Sequence, residues 1–277
     1  MERNAARIIT ASPVLEGAGV HLNRVFGFSE VELFDPFLLF DDFRSDTPAH
    51  YLKGFPWHPH RGIETITYVL KGDVEHGDSL GNSGTISSGD VQWMTAGSGI
   101  VHQEMPKGDK DGAMHGFQLW ANLPAKSKMT APRYQEITAA QIPEVVVDGA
   151  RIKIIAGECE GTRGPVTDIF TEPEYLDVTL AENGRFQRLT PVDHTVLLYA
   201  IDGSGTSAAA AVSNRQLVLY GSGSEISVEA GPEGLRFLLL SGKPLKEPIA
   251  WRGPIVMNTE EELETAFREY QQGNFIK

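Results

Sequence analysis

Hydrophobic and polar residues alternate through much of the first half of the chain, in short runs separated by glycine. Residues 63–70 are rich in β-branched and aromatic side chains and end at Lys71-Gly72-Asp73, a pattern typical of a strand followed by a hairpin turn. The same pattern predicts further strands over residues 74–80, 84–88, 90–95 and 116–123. The first half of the chain is therefore predicted to be a β-meander.

The second half repeats this arrangement. Residues 195–203 resemble residues 65–72, because each run ends in a charged residue followed by glycine. Residues 216–221 correspond to 90–94, and residues 234–242 correspond to 116–122. Two copies of one β-unit predict a duplicated barrel. We therefore predict an all-β fold with a first barrel domain over residues 1–130, a linker over 131–145 and a second barrel domain over 146–277.

The end of the chain changes period. Thr259 and Glu262 have the Thr-x-x-Glu spacing of a capping box at the start of a helix. Apolar residues then recur at i, i+3, i+4 and i+7, at Leu263, Ala266, Phe267 and Tyr270. This stripe predicts an amphipathic C-terminal helix that ends near Gly273 and packs on a sheet.

Composition limits the possible partners and compartments. The 24 basic and 37 acidic residues leave a net charge of −13, which argues against direct binding to nucleic acid, so a transcriptional role would act through a protein partner. The single cysteine, Cys159, excludes an intrachain disulfide and suits a reducing compartment. We find no secretory signal and no apolar run long enough for a membrane span. We expect a cytoplasmic monomer, nucleocytoplasmic in a eukaryote.

Four residues of the first half have the spacing of one metal site. His58 and His60 are two residues apart, as are His102 and Glu104 about forty residues later. In a strand, side chains two residues apart point to the same side. A lone histidine is usually a surface or core residue, but two paired sites favour a metal. Three imidazoles and one carboxylate suit iron, manganese, nickel, copper or zinc.

The second copy lacks these ligands. Leu189 and Pro191 stand approximately where a His-x-His pair would lie, and of the histidines only His194 lies near that region. We therefore predict one metal ion per chain and a metal-free C-terminal domain.

Longer sequence strings carry a family resemblance. They are Phe55-Pro-Trp-His-Pro-His-Arg-Gly-Ile-Glu-Thr65, Gly89-Asp-Val-Gln-Trp-Met-Thr-Ala-Gly97, Gly99-Ile-Val-His-Gln-Glu-Met-Pro106 and Gly253-Pro-Ile-Val-Met-Asn-Thr259. Together they resemble the pirin family of the cupin superfamily over nearly the whole chain. The resemblance implies a bicupin whose N-terminal domain binds iron(II) through His58, His60, His102 and Glu104. Glu64 would then lie outside the ligand set, behind the ligands or in the pocket.

The resemblance implies two kinds of function. Bacterial members include flavonol dioxygenases, so we expect a quercetin 2,3-dioxygenase that uses dioxygen, with Glu104 as both ligand and catalytic base. Manganese, nickel, copper and zinc are alternatives to iron. Eukaryotic members include nuclear coregulators, so the alternative is a redox-sensing metal protein that regulates a protein partner. A metal-dependent isomerase or hydrolase is a third option. Candidate pocket residues are Phe55, Trp57, Tyr68, Trp93, Met94 and Phe117.

Overall fold

Extended segments make up most of the secondary structure of the computed structural model, which describes residues 1–171 and 173–277. The strands of the first half are β1 (Ala5–Thr10), β2 (Ser12–Glu16), β3 (Val20–Phe26), β4 (Phe37–Asp42), β5 (Phe55–His60), β6 (Ile63–Lys71), β7 (Asp73–Asp78), β8 (Ser83–Ile86), β9 (Val91–Thr95), β10 (Ile100–Lys107), β11 (His115–Asn122) and β12 (Arg133–Ile137). The strands of the second half are β13 (Glu144–Val147), β14 (Ala150–Ala156), β15 (Glu158–Cys159), β16 (Thr162–Arg163), β17 (Glu174–Leu180), β18 (Arg185–Leu189), β19 (Thr195–Ser207), β20 (Ala210–Ser213), β21 (Gln216–Tyr220), β22 (Glu225–Gly242), β23 (Ala250–Arg252) and β24 (Ile255–Met257).

Helices are few and short. The α-helices are α1 (Val31–Phe34) and α2 (Glu260–Gln271), and single 3₁₀ turns span Phe28–Glu30, Pro48–His50, Ala125–Ser127 and Ala139–Gln141. No helix within residues 1–171 or 173–277 is long and apolar enough to cross a membrane. The prediction of an all-β fold with a C-terminal helix is confirmed.

The chain forms two compact units, and each is discontinuous in sequence. The first unit contains Ser12–Ala139 and Leu245–Lys277, and the second contains Met1–Ala11 and Ala140–Pro244. This division differs from the continuous domains that we predicted. Strand β1 belongs to the second unit because it pairs with β21, and helix α2 belongs to the first unit, where it contacts β23 and β24. The predicted linker also contains β12, which pairs with β9.

The first unit has two large antiparallel sheets and the two-stranded sheet β23-β24. The larger has the strand order β12-β9-β6-β11-β4-β3-β2, and the smaller has the order β5-β10-β7-β8. The turn Arg61-Gly62 carries the chain from β5 in the small sheet to β6 in the large one. Gly62 has a φ of +79°, and a Cβ atom there would lie 1.9 Å from the carbonyl oxygen of Val256. Only glycine fits this turn, because it has no Cβ atom.

The last 33 residues of the chain complete the first unit. The β23–β24 hairpin and α2 form a small apolar cluster that includes Ala250, Ile255, Leu263, Ala266 and Phe275. The predicted capping box is present, since the Thr259 hydroxyl accepts from the Glu262 backbone and the Glu262 carboxylate accepts from the Thr259 backbone. The side chains of Leu263 and Ala266 are buried, as the apolar stripe predicts.

The second unit is built on one nine-stranded sheet. Its main path is β1-β21-β19-β22-β17-β14-β13, with β18 paired to β22 and β20 paired to β19. The order β21-β19-β22 matches the order β9-β6-β11 of the first unit, so the predicted repeat is confirmed strand by strand. A continuous apolar cluster fills the interior and includes Ile154, Leu176, Leu198, Phe237 and Leu239.

Candidate metal centre

Three histidines meet where β5 and β10 pair. His102 lies directly opposite His58, and Ile100 lies opposite His60. Residues that face each other across an antiparallel pair project from the same side of the sheet. The ligating atoms of His58, His60 and His102 consequently lie within 4.8 Å of one another. Among residues 1–171 and 173–277, no other group of three or more ligating side chains lies close enough together to hold one ion.

The hydrogen bonds of two histidines determine which nitrogen carries the hydrogen. Nδ1 of His58 lies 2.9 Å from the carbonyl oxygen of Pro56, and Nδ1 of His60 lies 3.0 Å from that of Pro254. A carbonyl oxygen can only accept, so each Nδ1 is the donor and each neutral ring presents a lone pair at Nε2. These two Nε2 atoms are 3.0 Å apart. Two lone pairs at this distance repel each other unless a cation lies beside them.

His102 completes the donor set. It is 1% exposed, and neither of its ring nitrogens has a hydrogen-bond partner among the residues that the structure describes. Burial lowers the pKa of His58. Burial also lowers the pKa values of His60 and His102 well below the usual range, and the neighbouring histidines lower these two pKa values further. The three rings are therefore neutral near pH 7, which is the form that binds metals.

Glu104 lies next to this cluster on β10. Its Oε2 atom is 4.0 Å from Nε2 of His102, and its Oε1 atom is 3.1 Å from the hydroxyl of Thr67. Burial raises the pKa of Glu104 to about 7, and the hydrogen bond from Thr67 acts in the opposite direction. A divalent cation beside the carboxylate would offset the cost of burying its charge.

The four side chains fit a divalent transition metal. Neutral nitrogen donors with an oxygen donor are typical of such sites, and ligating histidines usually donate their second N–H to a carbonyl or carboxylate. His58 and His60 do so through Pro56 and Pro254. A bound ion would also satisfy one of the two buried ring nitrogens of His102.

The cluster opens into a cavity of about 590 Å³ inside the first unit. Such a volume is typical of sites for small organic ligands. One wall is aromatic: ring centroids are 5.0 Å apart between His60 and Trp120, 5.9 Å between Trp120 and Trp251, and 5.4 Å between Trp251 and Phe28. Phe28 is 67% exposed, so the wall runs from the histidines to the surface.

Polar groups line a second wall. Arg24 donates two hydrogen bonds to Asp41, at 2.8 and 2.9 Å, and forms an ion pair with Glu16. Asp41 lies opposite Gln118 across the β4–β11 pair. Gln118 and Thr67 continue this wall towards the cluster.

Among the six candidate pocket residues, only Phe55 lines the cavity. Trp57 is 54% exposed, and Met94 is buried in a separate apolar cluster. Tyr68, Trp93 and Phe117 are buried on the other face of the large sheet. Thr67 lines the cavity, and successive side chains of a strand point to opposite faces. Ile66 and Tyr68, its neighbours on β6, therefore point away from the cavity, as does Trp93, which lies opposite Ile66.

Glu64 also lies away from the cavity. Its carboxyl oxygen Oε1 accepts a hydrogen bond of 2.7 Å from Thr95, and it shares a face with Ile66 rather than Thr67. Unbroken alternation from His60 would place Glu64 and Tyr68 on the same face as the histidines, but the turn at Gly62 shifts the alternation by one residue. A glycine two residues after His60 was the available signal.

Three cavity residues have no local sequence signal. Trp251 and Pro254 lie almost 200 residues from His60, and Thr67 is one of several threonines on β6. The string beginning at Gly253 resembles other pirins, but that resemblance does not place it beside the histidines. Only the return of the chain end to the first unit shows their role.

Comparison with known proteins agrees with this architecture. The Pirin family profile matches residues 19–121, and the profile of the Pirin C-terminal cupin domain matches residues 175–276. The chain therefore belongs to the pirin family, and both of its barrels are cupin domains. A cupin fold with a histidine cluster able to hold a metal ion defines the class.

Particular relatives match over the full length. A pirin-like protein of Caulobacter vibrioides is 44% identical over 99% of both chains. A Pseudomonas aeruginosa protein that carries the provisional name of a quercetin 2,3-dioxygenase is 43% identical, over 98% of this chain and 97% of its own. The crystal structure of a quercetin 2,3-dioxygenase from Acinetobacter baumannii superposes with a TM-score of 0.91 at 33% identity, over 99% of both chains.

Proposed function

We propose that this protein is a metal-dependent dioxygenase that cleaves flavonols such as quercetin. The observation that carries the proposal is a set of three neutral imidazoles and one carboxylate at the inner end of a 590 Å³ cavity with an aromatic wall. The similarity to a quercetin 2,3-dioxygenase of known structure supports the same reaction class.

His58, His60, His102 and Glu104 are the proposed ligands, and iron(II) is the proposed ion, with manganese, nickel, copper and zinc as alternatives. When bound, iron(II) would supply the redox chemistry that lets dioxygen react with an electron-rich organic substrate, whereas zinc has no redox chemistry and could act only as a Lewis acid. Four protein ligands leave positions free on a six-coordinate ion, in contrast to closed structural sites.

The protein residues have three tasks in this proposal. Trp120 and Trp251 offer aromatic faces against which a planar flavonol can stack. Glu104 accepts the proton of the substrate 3-hydroxyl at its carboxylate, which makes the substrate more electron-rich. The apolar lining of the cavity, which includes Leu22, Leu39 and Val74, limits the entry of water.

An aerobic assay tests the activity directly. Protein loaded with iron(II) should consume quercetin and dioxygen, with loss of the flavonol absorbance and release of carbon monoxide. Protein treated with a chelator should be inactive until metal is restored. If the fully loaded protein leaves quercetin and related flavonols unchanged in air, the proposal fails and regulation of a protein partner becomes the leading hypothesis.

Replacement of Glu104 by Gln tests its role as base. The change preserves shape and removes the negative charge, so activity should fall by about 100-fold while thermal stability changes little. Metal content must be measured in the same samples, so that activity is expressed per bound ion. Glu75→Gln is the matched control, since Glu75 is an exposed carboxylate on the neighbouring strand β7. Equal activity of both variants per bound metal would contradict the assignment.

A further inference from the structure

One hydroxyl group stands between Glu104 and the polar wall of the cavity. Oγ1 of Thr67 is 3.1 Å from Oε1 of Glu104 and 2.9 Å from Oε1 of Gln118. A threonine hydroxyl has one hydrogen, so it cannot donate to both oxygens. Thr67 is 2% exposed, and a buried group left without its partner is costly. Either Glu104 or Gln118 must therefore donate a hydrogen bond to the Thr67 hydroxyl.

When Glu104 binds a metal it is an ionised carboxylate with no hydrogen to donate, so Gln118 is the donor. A half-turn of its side-chain amide exchanges the oxygen and the nitrogen at nearly the same positions. With the nitrogen towards Thr67, Gln118 donates to the Thr67 hydroxyl, and the Thr67 hydroxyl donates to Oε1 of Glu104. All three groups are then satisfied, whereas the opposite orientation leaves two acceptors for one hydrogen.

We infer that Gln118 and Thr67 are positioning residues that hold Glu104 so that it binds the metal through Oε2 alone. Oε1 is held by Thr67, and Oε2 is the oxygen that faces Nε2 of His102. Neighbours that orient the ligands of a metal typically affect its affinity as well as its geometry. Binding through one oxygen leaves an additional coordination position free. This inference rests on the proposed ligand set.

Cobalt(II) is a suitable probe, since its visible absorption reports the number and arrangement of its ligands. Thr67→Val keeps the shape of the side chain and removes the donor, so Glu104 can turn and bind through both oxygens. The spectrum should change towards a higher coordination number, and cobalt affinity should fall by about 10-fold. Thr67→Ser keeps the hydroxyl and should restore both properties.

Variants of Gln118 distinguish hydrogen-bond direction from packing. Gln118→Glu introduces a pure acceptor that takes the Thr67 hydrogen, so it should resemble Thr67→Val. Gln118→Leu leaves the hydroxyl free to donate to Glu104 and should stay within about 3-fold of the wild-type affinity. If Gln118 acted only through packing, Gln118→Leu should lower the cobalt affinity more than Gln118→Glu, because leucine removes the amide altogether.

Thr65→Val is the matched control. Thr65 lies on the same strand and the same face as Thr67 and is 3% exposed, but it does not line the cavity. Wild-type spectra in Thr67→Val, or equal effects of Thr65→Val and Thr67→Val, would overturn the inference. If Thr67→Val fails to fold, the two Gln118 variants decide. Glu104→Gln separates the two hypotheses: unchanged cobalt affinity in that variant would refute the ligand set itself.

Discussion

Glu64 is a fully buried carboxylic acid on β6 of the large sheet. Its carboxyl group is 0% exposed and accepts from the Thr95 hydroxyl. Burial raises its pKa to about 7, while the hydrogen bond from Thr95 and the charge of Arg133 act in the opposite direction. The folded protein therefore retains this proton at pH values where an exposed glutamate has lost it.

This proton makes stability depend on pH. The ordinary pKa of glutamate is 4.5, whereas Glu64 in the folded chain titrates near 7. Between these values the folded state holds a proton that the unfolded state has released, so the free energy of unfolding falls as pH rises, by roughly 3 kcal/mol over the whole interval. Glu64→Gln stays neutral, so its stability relative to wild type should increase from pH 4.5 to 7 and remain constant above.

Denaturant unfolding at pH 5 and pH 7.5 measures this difference. Glu75→Gln serves as the control because that carboxylate is exposed. If the free energies of unfolding of wild type and Glu64→Gln differ by the same amount at both pH values, the raised pKa of Glu64 is refuted.

The elements of this fold differ in how far local sequence determines them. The strands of the meander, helix α2 and the two pairs of candidate metal ligands follow from periodicity, because alternation and the capping box are local signals. The face of β6 does not follow from the spacing of His58 and His60 alone, since one turn at Gly62 reverses every following side chain. Strand β12 was assigned to a linker because its pairing with β9 involves residues about 40 positions away.

Helix α2 offers a test at the scale of one element. The Thr259 side chain accepts from the Glu262 backbone at 3.2 Å, which satisfies one of the free N–H groups at the start of the helix. Thr259→Ala should lower the free energy of unfolding by about 1 kcal/mol, while Thr259→Ser should retain most of it. Thermal or denaturant unfolding monitored by circular dichroism measures the change. Equal losses in both variants would mean that the hydroxyl is not the stabilising group.

At the scale of the whole molecule, the two barrels have diverged in what fills them. The first contains a cavity beside a cluster of three histidines, and the second contains an apolar core. From the sequence we predict only that the second barrel lacks the ligands, because Leu189 and Pro191 stand approximately where a His-x-His pair would lie. The Trp251 and Pro254 contributions could not be predicted, since nothing local indicates which barrel the chain end joins.

Metal binding should therefore be stoichiometric and stabilising. We expect one equivalent of transition metal per chain by elemental analysis. A ligand that binds only the folded state stabilises it by about 2.7 kcal/mol at 100 times its dissociation constant, so added nickel(II) should raise the Tm. The triple variant His58→Ala, His60→Ala, His102→Ala should show no such rise. Two tightly bound equivalents, or a retained Tm shift in the triple variant, would contradict a single site formed by these histidines.

The hydrogen bond from His60 to the carbonyl of Pro254 has a consequence for biosynthesis. These residues are 194 positions apart, and the segment between them includes most of the second unit. The N-terminal part of a chain leaves the ribosome first, and domains generally fold as they emerge. The histidines thus leave the ribosome long before the residue that orients one of them. The His60 ring gains its orienting partner only after Pro254 has been synthesised, so a nascent chain stalled before Pro254 would lack a finished site.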